Sequence, residues 1–355
     1  FRRVLFRSVA ALGLLADRAL EFKDLPIAGR SHNVPAQITT LGKRFASCAE
    51  ELLFAYERLT GLIERYPMRG IKGPVGTAQD SVDLLGSSAA HSNLETEVAH
   101  YLGFSNILDS TGQIYPRSFD FDVVTNLVQL AAAPSSLATS IRLMAGADLV
   151  TEGFKAGQVG SSAMPHKMNT RSCERINGLA VVLRGYSSMV GELSGDQWNE
   201  GDVSCSVVRR VAIPDAFYAF DGLVETLLTV LREFGAFPKV IEAEIEKYLP
   251  FLATTKILMA SVKAGVGREV AHEIIKEHAV SAALNMRQGQ ANLMLQAIGE
   301  DSRIPLNFED LTALIAKPIE FTGDASAQVE RVVKRIEAIT SAHTAAAQYR
   351  PDTIR

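Results

Sequence analysis

Residues 157–175 concentrate polar side chains of several types within a short stretch. The set contains two hydroxyls, an amine, an amide and a carboxylate: Ser161, Ser162, Lys167, Asn169 and Glu174. Groups of these types transfer protons and stabilise negative charge in enzyme sites. The stretch is rich in glycine and other small residues, which predicts a mobile loop, and apolar residues return at helical spacing from Cys173 onward. The alternative interpretation is a surface linker with incidental polar residues.

Residues 29–40 supply another candidate for proton transfer. His32 lies in a predicted turn just before a long helical pattern. Imidazole gains and loses a proton near neutral pH, so it is suited to act as an acid or a base. The alternative is a solvent-exposed histidine without a role in chemistry.

The elements that must position these residues are predicted to be long helices. Apolar residues recur every three or four positions over 36–66, and Pro67 follows at the expected helix end. Residues 118–150 are apolar on more than one face, which indicates a helix buried inside a bundle. Two more long helices are predicted over 173–193 and 206–234, and no segment shows convincing strand alternation. The predicted fold class is therefore an all-α bundle of long helices.

The composition changes near residues 235–238, after which the predicted helices become shorter. We therefore expect a central helical bundle over 9–237, which includes the loop 157–170, and a smaller helical domain over 238–355. Residues 1–8 are basic and apolar, and the chain does not begin with Met. They are predicted to be foreign or disordered, and a signal peptide is the alternative.

The overall composition is that of a globular protein, with 47% hydrophobic and 21% charged residues among 355. A net charge of −4 leaves no basic stripe for nucleic acid. The three cysteines, Cys48, Cys173 and Cys205, lack metal-ligand spacing and indicate reduced thiols in a cytoplasmic protein. The sequence contains no apolar run as long as a membrane span, no dinucleotide-binding glycine motif and no metal-ligand cluster. We therefore expect no cofactor, metal, membrane or nucleic-acid partner.

The loop at 157–170 resembles the shared signature of the fumarase/aspartase superfamily, which reads roughly Gly-Ser-Ser-x-Met-Pro-x-Lys-x-Asn-Pro. Seven of the eight fixed positions match, and Thr170 replaces the final proline. Residues 29–40 are similar to the superfamily segment Gly-Arg-Thr-His-x-Gln-Pro-Ala-Gln, although Ser31 replaces its threonine and Asn33 stands near its first glutamine. The resemblance implies the superfamily fold, a long-helix bundle with a smaller C-terminal helical domain.

The same resemblance implies roles in a β-elimination. Ser161 would remove a proton beside a carboxylate, and His32 would protonate the departing nitrogen. Lys167 and Asn169 would hold the carboxylate that receives the negative charge, and Glu174 would pair with the histidine and orient its ring.

Three further segments resemble the adenylosuccinate lyase branch of this superfamily. They are Lys-Gly-x-x-Gly-Thr at 72–77, Gln-x-Tyr-x-Arg at 113–117 and Ser-x-x-x-Arg at 206–210. In that branch the first lies near the succinyl group and the last holds the nucleotide phosphate, which arginine can bind through two hydrogen bonds. One of Arg209 and Arg210 is expected to be a solvated residue at the helix start. The substrate-binding residues implied are Lys72, Thr77, Gln113, Arg117, Ser162, Ser206 and Arg210.

The resemblance implies an enzyme that eliminates fumarate from adenylosuccinate to give AMP, and from the succinylated aminoimidazole carboxamide ribotide, in purine biosynthesis. It implies a small nucleotide substrate, no cofactor, a cytoplasmic location and a homo-oligomer, most often a tetramer. The superfamily's small N-terminal domain carries another active-site histidine and is expected to be absent, so this chain alone is expected to be inactive or impaired. The alternatives are another superfamily member, such as carboxymuconate cycloisomerase, and a non-catalytic helical scaffold.

Overall fold

The structure, a computed structural model, describes residues 1–153 and 167–350. In chain order, the elements before residue 154 are α1 (Arg2–Glu21), β1 (Pro26–Ser31), β2 (Val34–Thr40), α2 (Leu41–Arg65), α3 (Gln79–Leu85), α4 (Ser88–Leu102), α5 (Ser118–Gly146) and β3 (Val150–Thr151). Those after residue 166 are α6 (Arg171–Glu192), α7 (Ser204–Glu233), β4 (Gly235–Ala236), α8 (Pro238–Leu252), α9 (Thr254–Lys263), α10 (Arg268–Arg287), α11 (Met294–Gly299), α12 (Phe308–Ile315), a 3₁₀ turn (Pro318–Phe321), α13 (Ala325–Ala342) and α14 (Thr344–Ala347).

A bundle of long helices forms the centre of the molecule, and the prediction of an all-α fold is confirmed. Helix α5 packs against α2, α6 and α7, and α1 packs against α2 and α7. The α5 residues Val124, Leu127 and Leu130 are fully buried in this core. The apolar pattern on several faces of α5 therefore reflects burial between several neighbouring helices.

Residues 2–8 belong to α1, so the prediction that this segment is disordered is wrong. Val4 and Ser8 are buried in the bundle. The buried guanidinium of Arg7 pairs with two carboxylates of α7, those of Asp221, at 2.9 Å, and Glu225. The basic residues suggested a solvent-exposed segment, but their charges are met by acids that lie more than two hundred residues further along the chain.

The structure also corrects the absence of predicted strands and the start of α2. Strands β1 and β2 form an antiparallel hairpin in which Ile27 pairs with Thr39. Helix α2 then begins at Leu41 rather than near residue 36, because the Thr40 side chain caps it by accepting a hydrogen bond from the Lys43 amide at 3.0 Å. The hairpin was missed because it is short and only part of each strand is buried.

The residues predicted to form a smaller helical domain, 238–355, contribute to two hydrophobic cores. A second hydrophobic core includes residues from Ala253 to Ile315 and packs α9, α10, α11 and α12 together. Helix α13 instead returns to the bundle, where Val329 and Val333 join the main core against α1 and α2. Apolar periodicity predicts such a helix but does not specify which core it joins. Within the described ranges, no helix is long and apolar enough to cross a membrane.

We expect Leu127→Ala to lower the free energy of unfolding by about 2–5 kcal/mol, because Leu127 has no exposed surface and its truncation leaves a cavity between helices. The matched control is Leu84→Ala, since Leu84 is 85% exposed on α3. Chemical denaturation of both variants measures the difference. Equal losses in the two variants would contradict the packing described for α5.

Candidate active site

The described site residues fall into two groups at opposite ends of the bundle. The first, which we call the hairpin end, comprises the β1–β2 turn, the C-terminal end of α5 and the N-terminal end of α6. The second, which we call the opposite end, comprises the segments before α5 and α7 and the C-terminal end of α6. Helix α5 has 29 residues, so the two ends lie about 43 Å apart at 1.5 Å per residue.

At the hairpin end, His32 lies at the tip of the β1–β2 turn and is exposed. His32 and Asn33 both have left-handed backbone angles, with φ of 51° and 62°, as a two-residue hairpin turn requires. Arg30 holds this turn because its guanidinium donates to the Asn33 carbonyl at 3.0 Å and also pairs with Glu244 of α8. The imidazole is therefore presented outward from a braced turn.

Glu174 lies in the first turn of α6, and its carboxylate is exposed. The Arg142 guanidinium of α5 lies 4.0 Å from this carboxylate and donates to Asn177 at 3.0 Å. Arg142 and Asn33 also line one cavity of about 540 Å³. The structure thus brings the His32 turn and the start of α6 to the same end of the bundle, with a cavity near both.

The N-terminus of α6 is capped by Glu152, a residue that sequence reasoning missed. The Glu152 carboxylate accepts hydrogen bonds from the backbone amides of Ser172 at 2.9 Å and Cys173 at 2.8 Å. A carboxylate at this position satisfies free amides and complements the helix dipole. The cap is twenty residues away along the chain, so no local motif could reveal it.

The two hydroxyls of the signature loop, Ser161 and Ser162, lie outside the described residues. Lys167 and Asn169 are described in the extended segment that leads into α6, with Lys167 exposed and Asn169 half-buried. They precede Glu174 by a few residues along the chain, so this part of the signature also lies at the hairpin end.

At the opposite end, Lys72 and Thr77 belong to the turn that precedes α3. Thr77 is exposed, whereas Lys72 is buried and its ammonium lies 2.8 and 2.7 Å from the two oxygens of Glu95 in α4. The cation at position 72 is thus already neutralised within the chain.

Gln113 has an exposed side chain and is held through its backbone amide, which donates to the Glu200 carbonyl at 2.7 Å. Gly201 follows at this contact, where a Cβ would lie 3.2 Å from the Gln113 side chain. That spacing is tighter than ordinary van der Waals contact, so the glycine suits the close approach of these two segments.

Arg117 is 3% exposed and its guanidinium is used within the protein. It donates to Asp202 at 2.8 Å, to the Ser204 hydroxyl at 3.2 Å and to the Asp196 carbonyl. Arg117 therefore braces the loop between α6 and α7 and does not present its charge to solvent.

A network around Tyr115 was not predicted from the sequence. The Tyr115 hydroxyl donates to Asp120 at 2.8 Å and accepts from Arg209 at 2.8 Å. Burial, followed by the interaction with Asp120, raises the pKa of Tyr115. Arg209 points inward to this network, whereas Arg210 is exposed and Ser206 is half-buried at the start of α7. The solvated member of the arginine pair is thus Arg210, which leaves its guanidinium available for a ligand.

Among the described residues, no group of three histidine, cysteine, aspartate or glutamate side chains could hold a metal ion. The arrangement offers an exposed imidazole, amine and carboxylate at the hairpin end. At the opposite end it offers an exposed amide, hydroxyl and guanidinium, all of them suited to an anionic or hydrogen-bonding ligand.

Comparisons with solved structures define the class of fold. The 3-carboxy-cis,cis-muconate lactonizing enzyme of Pseudomonas putida aligns with a TM-score of 0.78 over 96% of this chain and 73% of its own, at 20% identity. A fumarate lyase from Mesorhizobium sp. BNC1 aligns with a TM-score of 0.78 over 93% of this chain and 72% of its own, also at 20% identity. This chain therefore shares the fold of these two enzymes, and identities this low show nothing finer.

Sequence relatives specify the family. A family model described as Lyase matches residues 11–185, and one described as Adenylosuccinate lyase C-terminus matches residues 250–332. Adenylosuccinate lyase of Saccharomyces cerevisiae is 36% identical over 92% of this chain and 68% of its own length, and that of Schizosaccharomyces pombe is 34% identical over the same shares. Adenylosuccinate lyase of Archaeoglobus fulgidus is 32% identical over 92% of this chain and 71% of its own length. The chain belongs to the adenylosuccinate lyase family, as its segments 72–77, 113–117 and 206–210 predicted.

The Arg117–Asp202 pair predicts how stability depends on pH. Hydrogen bonds from the Ser204 hydroxyl and from Arg117 lower the pKa of Asp202 to about 2, whereas an unfolded aspartate has a pKa of about 3.9. The stabilisation is present above about pH 4 and is lost as pH falls from about 4 to about 2. We expect Asp202→Asn to be less stable than the parent at pH 7 and to converge with it near pH 2, as measured by thermal unfolding.

The control for this comparison is Asp109→Asn, because Asp109 is an exposed aspartate near the same end of the bundle. It should follow the pH dependence of the parent. If Asp202→Asn also follows the parent between pH 4 and pH 2, the carboxylate does not carry the interaction described.

Proposed function

We propose that this chain catalyses β-elimination of fumarate from adenylosuccinate to give AMP, and from the succinylated aminoimidazole carboxamide ribotide. One observation carries the proposal. A chain that is 36% identical to an adenylosuccinate lyase contains the signature residues Ser161, Lys167 and Asn169 together with His32 and Glu174. A non-catalytic scaffold would have no reason to retain this combination of proton-transfer and anion-binding groups.

The proposed reaction assigns one task to each candidate catalytic group. Ser161 removes a proton from the carbon beside a carboxylate, and Lys167 and Asn169 stabilise the charge that spreads into that carboxylate. His32 protonates the departing nitrogen, and Glu174 pairs with its ring and orients it. The exposed positions of His32 and Glu174 support this assignment, because both groups can reach a ligand or another chain.

At the opposite end, Gln113 and Thr77 contact the substrate, and Ser206 and Arg210 bind its phosphate. Ser162 contributes from the signature loop. The exposed guanidinium of Arg210 supports the phosphate assignment, because arginine can offer two parallel donors to a phosphate.

We further propose that the two ends form one site only between chains of a homo-oligomer, most simply a tetramer. The length of α5 prevents one chain from placing His32 and Arg210 on the same small substrate. Exposed apolar side chains on the two helices that flank α5 support an interface along the bundle: Val181, Val182, Met189, Val207, Val211 and Tyr218. A cytoplasmic location is proposed with this assembly, supported by three buried cysteines that form no disulfide.

We expect Ser161→Ala to lower the rate of fumarate release by about 10²–10⁴-fold, because a general base contributes about that much. Ultraviolet absorbance during incubation with adenylosuccinate measures the rate. Ser105→Ala, at an exposed loop position, is the control and should retain the parent rate. A Ser161→Ala chain with more than about a tenth of the parent rate would show that another group is the base.

Mixing variants tests the shared site. His32→Ala affects the hairpin end and Arg210→Ala affects the opposite end, so each variant alone should lose activity. Co-expression of the two should restore part of it, because some sites then combine an intact hairpin end with an intact opposite end. Light scattering on the same samples measures the assembly. A monomer, or a mixture no more active than its components, would contradict the shared site.

A further inference from the structure

The turn at residues 70–78 is fixed to α4 by one buried carboxylate, that of Glu95. Both of its oxygens lie within 2.8 Å of the Lys72 ammonium, and one also accepts a hydrogen bond from the Ile71 amide at 2.7 Å. Each side chain of the pair is only 9% exposed. Burial raises the pKa of Glu95, but the interactions with Lys72 and Ile71 outweigh it and the pKa is lowered. The carboxylate is therefore ionised at neutral pH.

This geometry leaves the Lys72 cation with little capacity for a ligand. An ammonium group has three donors, and the two carboxylate oxygens of Glu95 already face it. His91, one turn earlier on α4, covers the other side of the carboxylate, with its Nε2 atom 3.5 Å from a Glu95 oxygen. His91 is held in turn by Ser81 of α3, whose hydroxyl lies 2.8 Å from its Nδ1 atom. Helices α3 and α4 thus enclose the pair.

The turn is also joined to the segment that carries Gln113. The Arg69 guanidinium donates to the Gly73 carbonyl at 3.0 Å and to the Gly112 carbonyl at 2.6 Å. Gly76 packs directly on the Thr111 carbonyl, with no room for a side chain between them. A displacement of the turn would therefore shift residues 111–113 as well.

We propose that Glu95 is a positioning residue, which binds Lys72 within the chain and thereby sets the place of Thr77 and Gln113, so that the Lys72 ammonium does not contact the substrate. The proposal revises the substrate-binding role that the sequence resemblance implied for Lys72. It rests on the proposed function in one respect, since Thr77 and Gln113 are taken as the residues that meet the substrate.

The experiment is a double-mutant cycle with Glu95→Met, Lys72→Met and the double variant Lys72→Met/Glu95→Met, and Glu95→Gln is measured as a further single variant. Removal of one partner leaves the charge of the other buried and unpaired, which destabilises the fold. Apolar side chains of similar volume can replace both partners with little loss of stability. We expect KM for adenylosuccinate to rise about tenfold in each single variant and kcat to change less than about threefold, because His32 and Glu174 belong to the hairpin end. The double variant should return to within about threefold of the parent KM.

The control is Glu97→Gln, which removes an exposed carboxylate two residues further along α4 and should leave KM unchanged. A double variant as impaired as Lys72→Met would show that the ammonium itself contacts the substrate and would overturn the proposal. So would a Glu95→Gln variant indistinguishable from Glu97→Gln.

Thermal unfolding of the same variants separates this proposal from the proposed function. Both single variants should unfold at lower temperature than the parent and the double variant should recover, a result that needs no turnover. If the parent does not cleave adenylosuccinate, the proposed function fails while this cycle still tests the pair. If the decreases in unfolding temperature of the two single variants add up in the double variant, the Lys72–Glu95 pair does not hold the turn in place.

Discussion

The length of the buried helix α5 is the constraint on which the rest of the structure depends. It passes through the bundle with its apolar residues enclosed by α2, α6 and α7. About 43 Å of helix separates the His32 turn from the Gln113 segment. Each end of one chain can therefore supply only half of the proposed site. A rigid bundle that keeps these halves apart suits a site completed between chains.

Two ion pairs with buried cations organise the opposite end. Lys72 with Glu95 and Arg117 with Asp202 each use a cation to fix a loop that lacks a hydrophobic core of its own. Charges withdrawn from water are costly unless paired, so each pair strongly favours one arrangement of its loop. At the same end Arg209 is turned inward to Tyr115, while the neighbouring Arg210 is exposed. Three cations of the family-like segments, Lys72, Arg117 and Arg209, thus bond within the protein, and Arg210 remains available for a ligand.

Backbone hydrogen bonds organise the hairpin end. Glu152 caps α6 and so orients the turn that carries Glu174, while Arg30 braces the turn that carries His32. Glu152 lies outside the recognised motifs, whereas Arg30 belongs to the segment 29–40 itself. The candidate catalytic side chains of His32, Lys167 and Glu174 remain exposed, as the proposed site between chains requires.

The sequence by itself determined the fold class, the family and the identities of the candidate catalytic residues. Helical periodicity is local, and the signature Gly160 to Asn169 is contiguous, so both can be recognised without knowledge of packing. Tertiary structure alone decided that residues 2–8 continue a buried helix, that α13 returns to the main core, and that Lys72 and Arg117 are neutralised by Glu95 and Asp202. Each of these outcomes depends on a partner distant along the chain. The energy of a buried charge is set by what surrounds it in space, and residue type and spacing do not record that environment.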